Sequence, residues 1–570
     1  MNNKVCRQCG ISFVVDDNDL SFLKKVSPEF GGKKYLIPPP LDCPDCRLRQ
    51  RLAWRNLRNL YRTKSDKSGV DIVSNYAPDG KVKVYTTKEY YEDDATSYGR
   101  DFDFSRSFFP QFQELYFEVP KANLTNDDSC ENADFFNGGR GVKNAYMSFG
   151  AVLSEDIYYC EGIRNSAKCY DCYRVNHGEI CYECVYSSRL YNCYYCLKCS
   201  DCRGCYFSID ANGCHDCFGC VGLKNKQYYI YNQPQTKEEY EQFMAEFKFL
   251  PSRINEERQK LHELYLSVPQ KAVDFVDAED CSGEYIVHSK NVHDSYDIVG
   301  GENVRYGFAL VDGVKDCMDI TYFGINLERC YMCQSIATDC SNILFCSYVY
   351  NVAHNILYSI DIWKGWNSSD LFGCVGLGKK QYCILNKQYS KEEYFKLVPK
   401  IIGHMQQAGE WGQFFPYDLS PFGYNETEAM DYFPIKREEA IKLGAGWRDE
   451  DYGIKYDGPF YQPKEINFYD PKQNLNAQKE IDEALAGILQ CEVSGKPFRL
   501  ISQELVFYIE HGLPIPTKHP MVRFQERFKQ RRGRILYDRK CGKCGTDIKT
   551  TFGPEAKNIV YCEKCYANDI

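Results

Sequence analysis

Between residues 130 and 220 the cysteines keep a fixed beat. The leading Cys of each pair falls at 169, 181, 193, 202 and 214 and its partner at 172, 184, 196, 205 and 217, a step of twelve interrupted once by a step of nine. The frame runs upstream through Ile157, Ala145 and Ala133, each preceded by an Asn or Asp (Asp156, Asn144, Asn132), and a Tyr follows the leading position at 146, 158, 170, 182 and 194. A repeat this short cannot enclose a core of its own. It buries its apolar side only against its neighbours, so each sequence column becomes a ladder along one axis. The expected fold is a β-solenoid, with either a twelve-residue coil or a coil of about 24 residues holding two copies.

The block is duplicated. DCFGCVGLKNKQYYIYNQPQTKEEY, ending at Tyr240, returns as DLFGCVGLGKKQYCILNKQYSKEEY, ending at Tyr394. In the second copy Val292, Val304, Cys317, Cys330, Ile343 and Ile356 recur every 12 or 13 residues, and Asn291, Asn303, Asp316, Asn342 and Asn355 precede five of them. Each array exits into a helix announced by a capping box, Thr236 to Glu239 and Ser390 to Glu393, and a helical stretch over 236–266 joins the arrays. Cys193 corresponds to Ile343, whereas Cys181 and Cys184 correspond to Cys330 and Cys333. A position that accepts Cys or Ile behaves as apolar filler, so packing is the favoured role of these thiols. The alternatives are metal or redox chemistry: Cys193, Cys196, Cys199, Cys202 and Cys205 are spaced by three, as in part of an iron–sulfur site, without the element that completes one. The tyrosine column reads as a structural aromatic ladder, or as a platform for bases or sugars if it faces solvent.

The ends of the chain carry a different pattern. Cys6 and Cys9 are followed, after 33 intervening residues, by Cys43 and Cys46, and Cys541 and Cys544 are followed, after 17, by Cys562 and Cys565. Each set offers the four thiolates of tetrahedral zinc, and about two Zn2+ per chain are expected. Gly10 and Gly545 stand where the chain folds back around the metal. The 31 cysteines do not suggest disulfides: secreted disulfide scaffolds are short and follow an export signal, and MNNKVCRQCG leads into no apolar run. No stretch of 18 apolar residues occurs, so no membrane span and a cytoplasmic location are expected. At 570 residues the chain exceeds one core, so several domains are expected.

The residues Cys6, Cys9, Gly10, Phe13, Cys43, Pro44, Cys46 and Arg47 follow the pattern C-x2-C-G-x2-F … C-P-x-C-R, and over about the first 50 residues the chain resembles the zinc-ribbon (treble-clef-like) domain family. That resemblance implies a zinc module and no reaction. The layout as a whole resembles zinc-ribbon-plus-cysteine-repeat proteins encoded by bacteria of the Candidate Phyla Radiation, and it too implies no activity. A second, broken copy of the module lies at 491–535. CRQCGISF aligns with CEVSGKPF, DLSFL with ELVFY, and CPDCRLRQR with HPMVRFQER, placing Cys6 on Cys491, Cys9 on Ser494, Cys43 on His519 and Cys46 on Val522. Ser494 and Val522 do not complete a zinc set, so this copy is expected to be metal-free and held by packing of Phe498, Leu505, Phe507 and Tyr508.

After Cys46 comes RLRQRLAWRNLRNLYRTK, seven basic residues and no acid. At helical spacing Arg47, Arg51, Arg55, Arg58 and Arg62 share one face, with Ala53, Trp54, Leu57, Leu60 and Tyr61 on another. The broken copy keeps Arg523, Arg527, Lys529, Arg531, Arg532 and Arg534. Such a face suits phosphate oxygens. It is equally a solvated face, or one that docks on the acidic remainder of a chain whose net charge is −9.

No P-loop, dinucleotide fingerprint or H-E-x-x-H occurs, and the NGGRG cluster of Gly138, Gly139 and Gly141 is weak evidence of phosphate binding. The expected architecture is multidomain and mainly β, with zinc ribbons at both ends flanking two tandem β-solenoid-like blocks joined by helical connectors. The segments are a ribbon with basic helix (1–64), a connector (65–118), the first array (119–235), a helical connector (236–267), the second array (268–389), a helix and extended linker (390–490), the broken ribbon (491–535) and the C-terminal ribbon (536–570). The expected function is a non-catalytic zinc-binding scaffold that contacts RNA or a ribonucleoprotein through its arginine faces. The alternatives are a protein–protein scaffold and a redox or carbohydrate-active enzyme on the solenoid.

Overall fold

The structure is a computed structural model, and it describes residues 2–310, 313–322, 331–334, 340–341, 343–349, 353–364 and 367–568. Cys330 and Asn342 of the expected repeat frame lie outside the described residues. The chain is mainly β, and most of its sheets are small. It forms two compact units that interleave in sequence: Met1–Leu124 with Val273–Glu450, and Thr125–Ala272 with Asp451–Ile570. The N-terminal module therefore folds with the second array, and the 491–535 module with the first.

In the second of these units the first array forms a ten-stranded sheet whose strands are neighbours in sequence order. From Arg140 to Ile230 the pairing is parallel and steps by twelve. Ala145, Ile157, Cys169, Cys181 and Cys193 are successive partners, as are Tyr146, Tyr158, Tyr170, Tyr182 and Tyr194. The step of nine in the cysteine pattern does not break this register, because Leu190 pairs with Cys202, Tyr194 with Tyr206 and Cys205 with Cys217. Left-handed backbone recurs at every third residue from Gly138 to Tyr231. Asn and Asp adopt that conformation more readily than other side chains, which explains why Asn132, Asn144 and Asp156 precede the leading column. They also form a ladder: the Asn132 amide donates to Asn144 Oδ1 and the Asn144 amide to Asp156 Oδ1, both at 2.9 Å.

The three-residue rhythm accounts for the closely spaced thiols. Cys193, Cys196, Cys199 and Cys202 each follow a left-handed residue and are buried. Each thiol donates a weak hydrogen bond to the carbonyl nine residues ahead, at 3.6, 3.3, 3.4 and 3.5 Å respectively. Their spacing is that of the backbone turns.

In the other unit the second array repeats the parallel pairing with steps of twelve, 13 and 15: Lys290 with Glu302, Glu302 with Lys315, and Leu357 with Phe372. Its core is mostly Ile, Val and Leu, including Ile286, Val292, Val304, Ile343, Ile356 and Leu371. Asn291 donates to Asn303 at 2.7 Å and Asn303 to Asp316 at 2.9 Å, so the amide ladder recurs. Both expected capping boxes form, at the helices Lys237–Glu246 and Lys391–Gln407. The stretch over 236–266 is two helices rather than one, the second starting with Pro251 in its first turn, where a missing N–H costs nothing. The run from Lys436 forms the short helix Arg437–Lys442.

Candidate metal centres and arginine docks

Each four-cysteine set is assembled the same way. A tight turn carries the first pair: the Gly10 N–H donates to Cys6 O at 2.9 Å with φ +74°, and Gly545 does the same to Cys541 O at 2.9 Å with φ +74°. The second pair opens a helix. Cys43 caps Pro44–Leu52 and Cys562 caps Glu563–Ala567, and their N–H groups donate to Cys6 Sγ at 3.3 Å and Cys541 Sγ at 3.2 Å. In each set the sulfur atoms all lie within 4.8 Å of one another. The Cys9–Cys43 and Cys544–Cys562 sulfur pairs are 3.7 and 3.8 Å apart. A tetrahedron with metal–sulfur bonds of ~2.3 Å has edges of about 3.8 Å, so both sets fit a metal ion. The Cys46 thiol holds Cys43 down to about 5. Burial raises Cys541, but the N–H groups of Cys544, Cys562 and Lys543 outweigh it and bring it to about 6. Both directions suit a thiolate ligand.

These are the two groups of three or more potential ligands found among the described residues. The 491–535 module keeps the frame without the set. Gly495 donates to Cys491 O at 2.9 Å with φ +69°, and His519 caps the helix Pro520–Lys529 by accepting from the Met521 N–H at 3.2 Å. Burial lowers His519 to about 4. The described array thiols are likewise outside any such group. In the second array burial pushes Cys374 well above its ordinary range and Cys383 to about 11, whereas in the first the neighbouring thiols bring Cys169 to about 5 and Cys193 to about 6 while pushing Cys181 and Cys196 up.

The arginines lie elsewhere than on an open helical face. The helix ends at Leu52, and Ala53 is its C-cap. Beyond it Trp54 is buried, and the Asn56 amide donates to Asn75 O at 2.7 Å, so tertiary contacts take over from helix propensity. Arg47, Arg51, Arg55 and Arg58 are only 2%, 0%, 3% and 6% exposed. Arg47 and Arg51 share the Asp319 carboxylate at 2.6 and 3.3 Å, Arg55 meets Glu428 at 2.7 Å, and Arg58 meets Asp431 and, at 3.8 Å, Glu428. Burial lowers Arg51 to about 10. Arg62 is exposed on the strand Tyr61–Lys64.

The 491–535 module docks on its own array with the same parts. Arg523 and Arg527, which align with Arg47 and Arg51, share the Asp171 carboxylate, Arg527 at 2.6 Å. Asp171 stands two residues after Cys169 as Asp319 does after Cys317. Arg523 lies 4.5 Å over the Tyr159 ring and Arg47 5.2 Å over the Tyr306 ring. The Tyr159 hydroxyl donates to Glu504 at 2.7 Å and the Tyr306 hydroxyl to the aligned Asp19 at 3.2 Å. Sequence reasoning missed these array partners. The signal was the Asp two residues past the leading cysteine, present in both copies as CYDC and CMDI.

The tyrosine column is also inside. Tyr158, Tyr170, Tyr182 and Tyr194 are buried, Tyr158 and Tyr170 stack with centroids 4.8 Å apart, and Tyr170 stacks on Phe507 at 3.8 Å. In NGGRG, a Cβ on Gly139 would lie 1.9 Å from Ala151 O, so close backbone packing requires that glycine. Among the described residues no helix is long and apolar enough to cross a membrane. No protein-family model matches the chain, and no curated protein matches it in sequence.

Proposed function

We propose that the chain is a non-catalytic zinc-binding scaffold of the cytoplasm, in which two metal-bound ribbons and two β-solenoids, the first built of four-cornered, twelve-residue coils, present outer faces to a protein partner. The observation that carries this reading is the pair of four-thiolate sets, each with tetrahedral spacing, beside arrays whose thiols are buried and bonded to carbonyls. Thiolates of this spacing favour zinc, which supplies folding energy and no reaction when all four positions are filled by protein. Cys6, Cys9, Cys43 and Cys46 would hold one ion, and Cys541, Cys544, Cys562 and Cys565 the other.

The arginine faces serve the scaffold from within. Contact with RNA or a ribonucleoprotein through Arg47, Arg51, Arg55 and Arg58 requires the dock to open, because their guanidinium groups are paired with Asp319, Glu428 and Asp431. Elemental analysis of protein purified without oxygen tests the metal reading. Two zinc per chain and no iron are expected, with one zinc lost on Cys6→Ser/Cys9→Ser. Stoichiometric iron, or zinc well above two, would overturn it. Tight RNA binding with a steep salt dependence in the docked protein would overturn the assignment of the arginines to internal use.

A further inference from the structure

The first array carries an open cleft of about 490 Å³ on its outer side, spanning four successive turns. One register column runs through it: Lys143 pairs with Glu155, Glu155 with Ala167 and Ala167 with Glu179. The same column continues to Tyr191 and Arg203. Ala167 is the one short side chain in that series, so the column is notched there, with a carboxylate on either side. Asn165 and His177, at left-handed positions of adjacent turns, form the neighbouring wall. The side chains of Glu155, Glu179, Asn165 and His177 are exposed and make no hydrogen bond or ion pair among the described residues. At the upper end Lys143 lies 3.9 Å from Glu131.

This lining selects a ligand class. Two carboxylates against one paired amine repel a polyanion, so neither nucleic acid nor an acidic polymer suits it. Carboxylates and an amide without partners accept from hydroxyl or amino groups, and the strongest such bonds are those to charged acceptors. Adjacent strands lie ~4.8 Å apart, which places Glu155 and Glu179 about 9.5 Å apart along the axis. Successive rings of an extended β-linked sugar chain advance by a distance close to one strand spacing, so one ring can sit over Ala167 with its neighbours beside the two carboxylates. Tyr191, 41% exposed beyond Glu179, carries the Arg203 guanidinium 5.2 Å over one face of its ring and offers the other to the next sugar.

We propose that this cleft binds an extended, β-linked oligosaccharide that bears hydroxyl or amino groups and no acidic ones, lying along the array axis. This goes beyond the scaffold reading, since it names a ligand for one outer face and needs no zinc.

The full chain is titrated by calorimetry with cellohexaose, a chitosan hexamer and an oligogalacturonate hexamer. Saturable binding of cellohexaose or the chitosan hexamer is expected, and the stronger of the two tells whether hydroxyl or amino groups are read. Glu155→Gln/Glu179→Gln should weaken it roughly tenfold or more, and Ala167→Trp, which fills the notch, should abolish it. Lys224→Ala, outside the cleft, should leave it unchanged. If Ala167→Trp does not fold, the double glutamine variant, which adds no bulk, decides. Absence of saturable binding to both sugars, equal or tighter binding of the oligogalacturonate, or affinity unchanged by the double glutamine substitution would each overturn the proposal.

Discussion

The two units solve one docking problem twice, and they differ in what surrounds the solution. In each, an Arg-x3-Arg pair on a helix closes on a single array aspartate, under a tyrosine whose hydroxyl reaches an acid on the module's preceding helix. One module has four thiols beside this dock, whereas the other has Cys491, Ser494, His519 and Val522 in their places. The dock is therefore the constant and the metal set the variable. The turn and helix cap that a metal would fix in one module are held in the other by Gly495, by the His519 cap and by a ring contact between Phe498 and His519. The arrays differ as well. The cysteine-lined interior goes with steps of twelve from Arg140 to Ile230, while the Ile- and Leu-lined interior mixes steps of twelve with steps of 13 and 15, as at Ile298–Leu310, Glu302–Lys315 and Leu357–Phe372.

Metal removal should separate the modules most sharply. A structural zinc site in a small module is worth apparent free energies of roughly 10–16 kcal/mol. A strong chelator should therefore strip amide-exchange protection from 2–52 and 537–568 and leave 491–530 unchanged. Loss of protection in 491–530 would show that it too holds metal. Next in size is the shared aspartate. Asp319→Ala and Asp171→Ala each strand two buried arginines, and each should cost roughly 3–5 kcal/mol in denaturant unfolding. A loss in only one of the two variants would break the equivalence of the docks.

Exchanging the array interiors should have a smaller effect. Cys193→Ile overfills a tight turn and Ile343→Cys leaves a void, each costing roughly 1–3 kcal/mol by thermal unfolding. A larger loss at Cys193 with release of metal would return chemistry to the thiols. A pH-dependent effect is expected at His519. Its pKa is lowered from 6.5 to about 4 by burial, so the folded state holds the neutral ring while the unfolded chain takes up a proton. The 491–535 module should be at full stability above pH 6.5 and lose it progressively as pH falls toward 4. His519→Asn, which keeps a capping oxygen, should flatten that dependence in a pH series of exchange measurements.

Much of this was legible from residue spacing. Thiolate sets, capping boxes and the repeat are local patterns, and a local pattern is fully written in neighbouring residues. The exchange of Cys193 for Ile343 pointed to packing, and both positions are buried. Docking on the chain's own acids was one of the readings of the arginine stripe, but a single helical face was not what formed, because a helical wheel assumes that the helix continues. Here it stops at Leu52, and the partners of its arginines sit about 270 residues away at Asp319 and more than 350 away at Glu428 and Asp431. The grouping of the N-terminal module with the second array was unreadable for the same reason. Periodicity tells which side of a turn faces in, but it does not tell which distant segment covers the outside.

The left-handed residue at every third position sets an arithmetic for change in the first array. Adding or removing three residues shifts a segment by one corner and returns every inward side chain to the interior. A 13-residue step such as Val304–Cys317 keeps both residues buried by widening one spacing, from Ala309 to Gly313, to four residues. The step of nine within the cysteine pattern, and the fifteen-residue step at Leu357–Phe372, are both multiples of three. Such a ladder can be lengthened, trimmed or spliced in whole corners without redesigning what lies inside it, much as a text written in triplets survives edits that keep its reading frame.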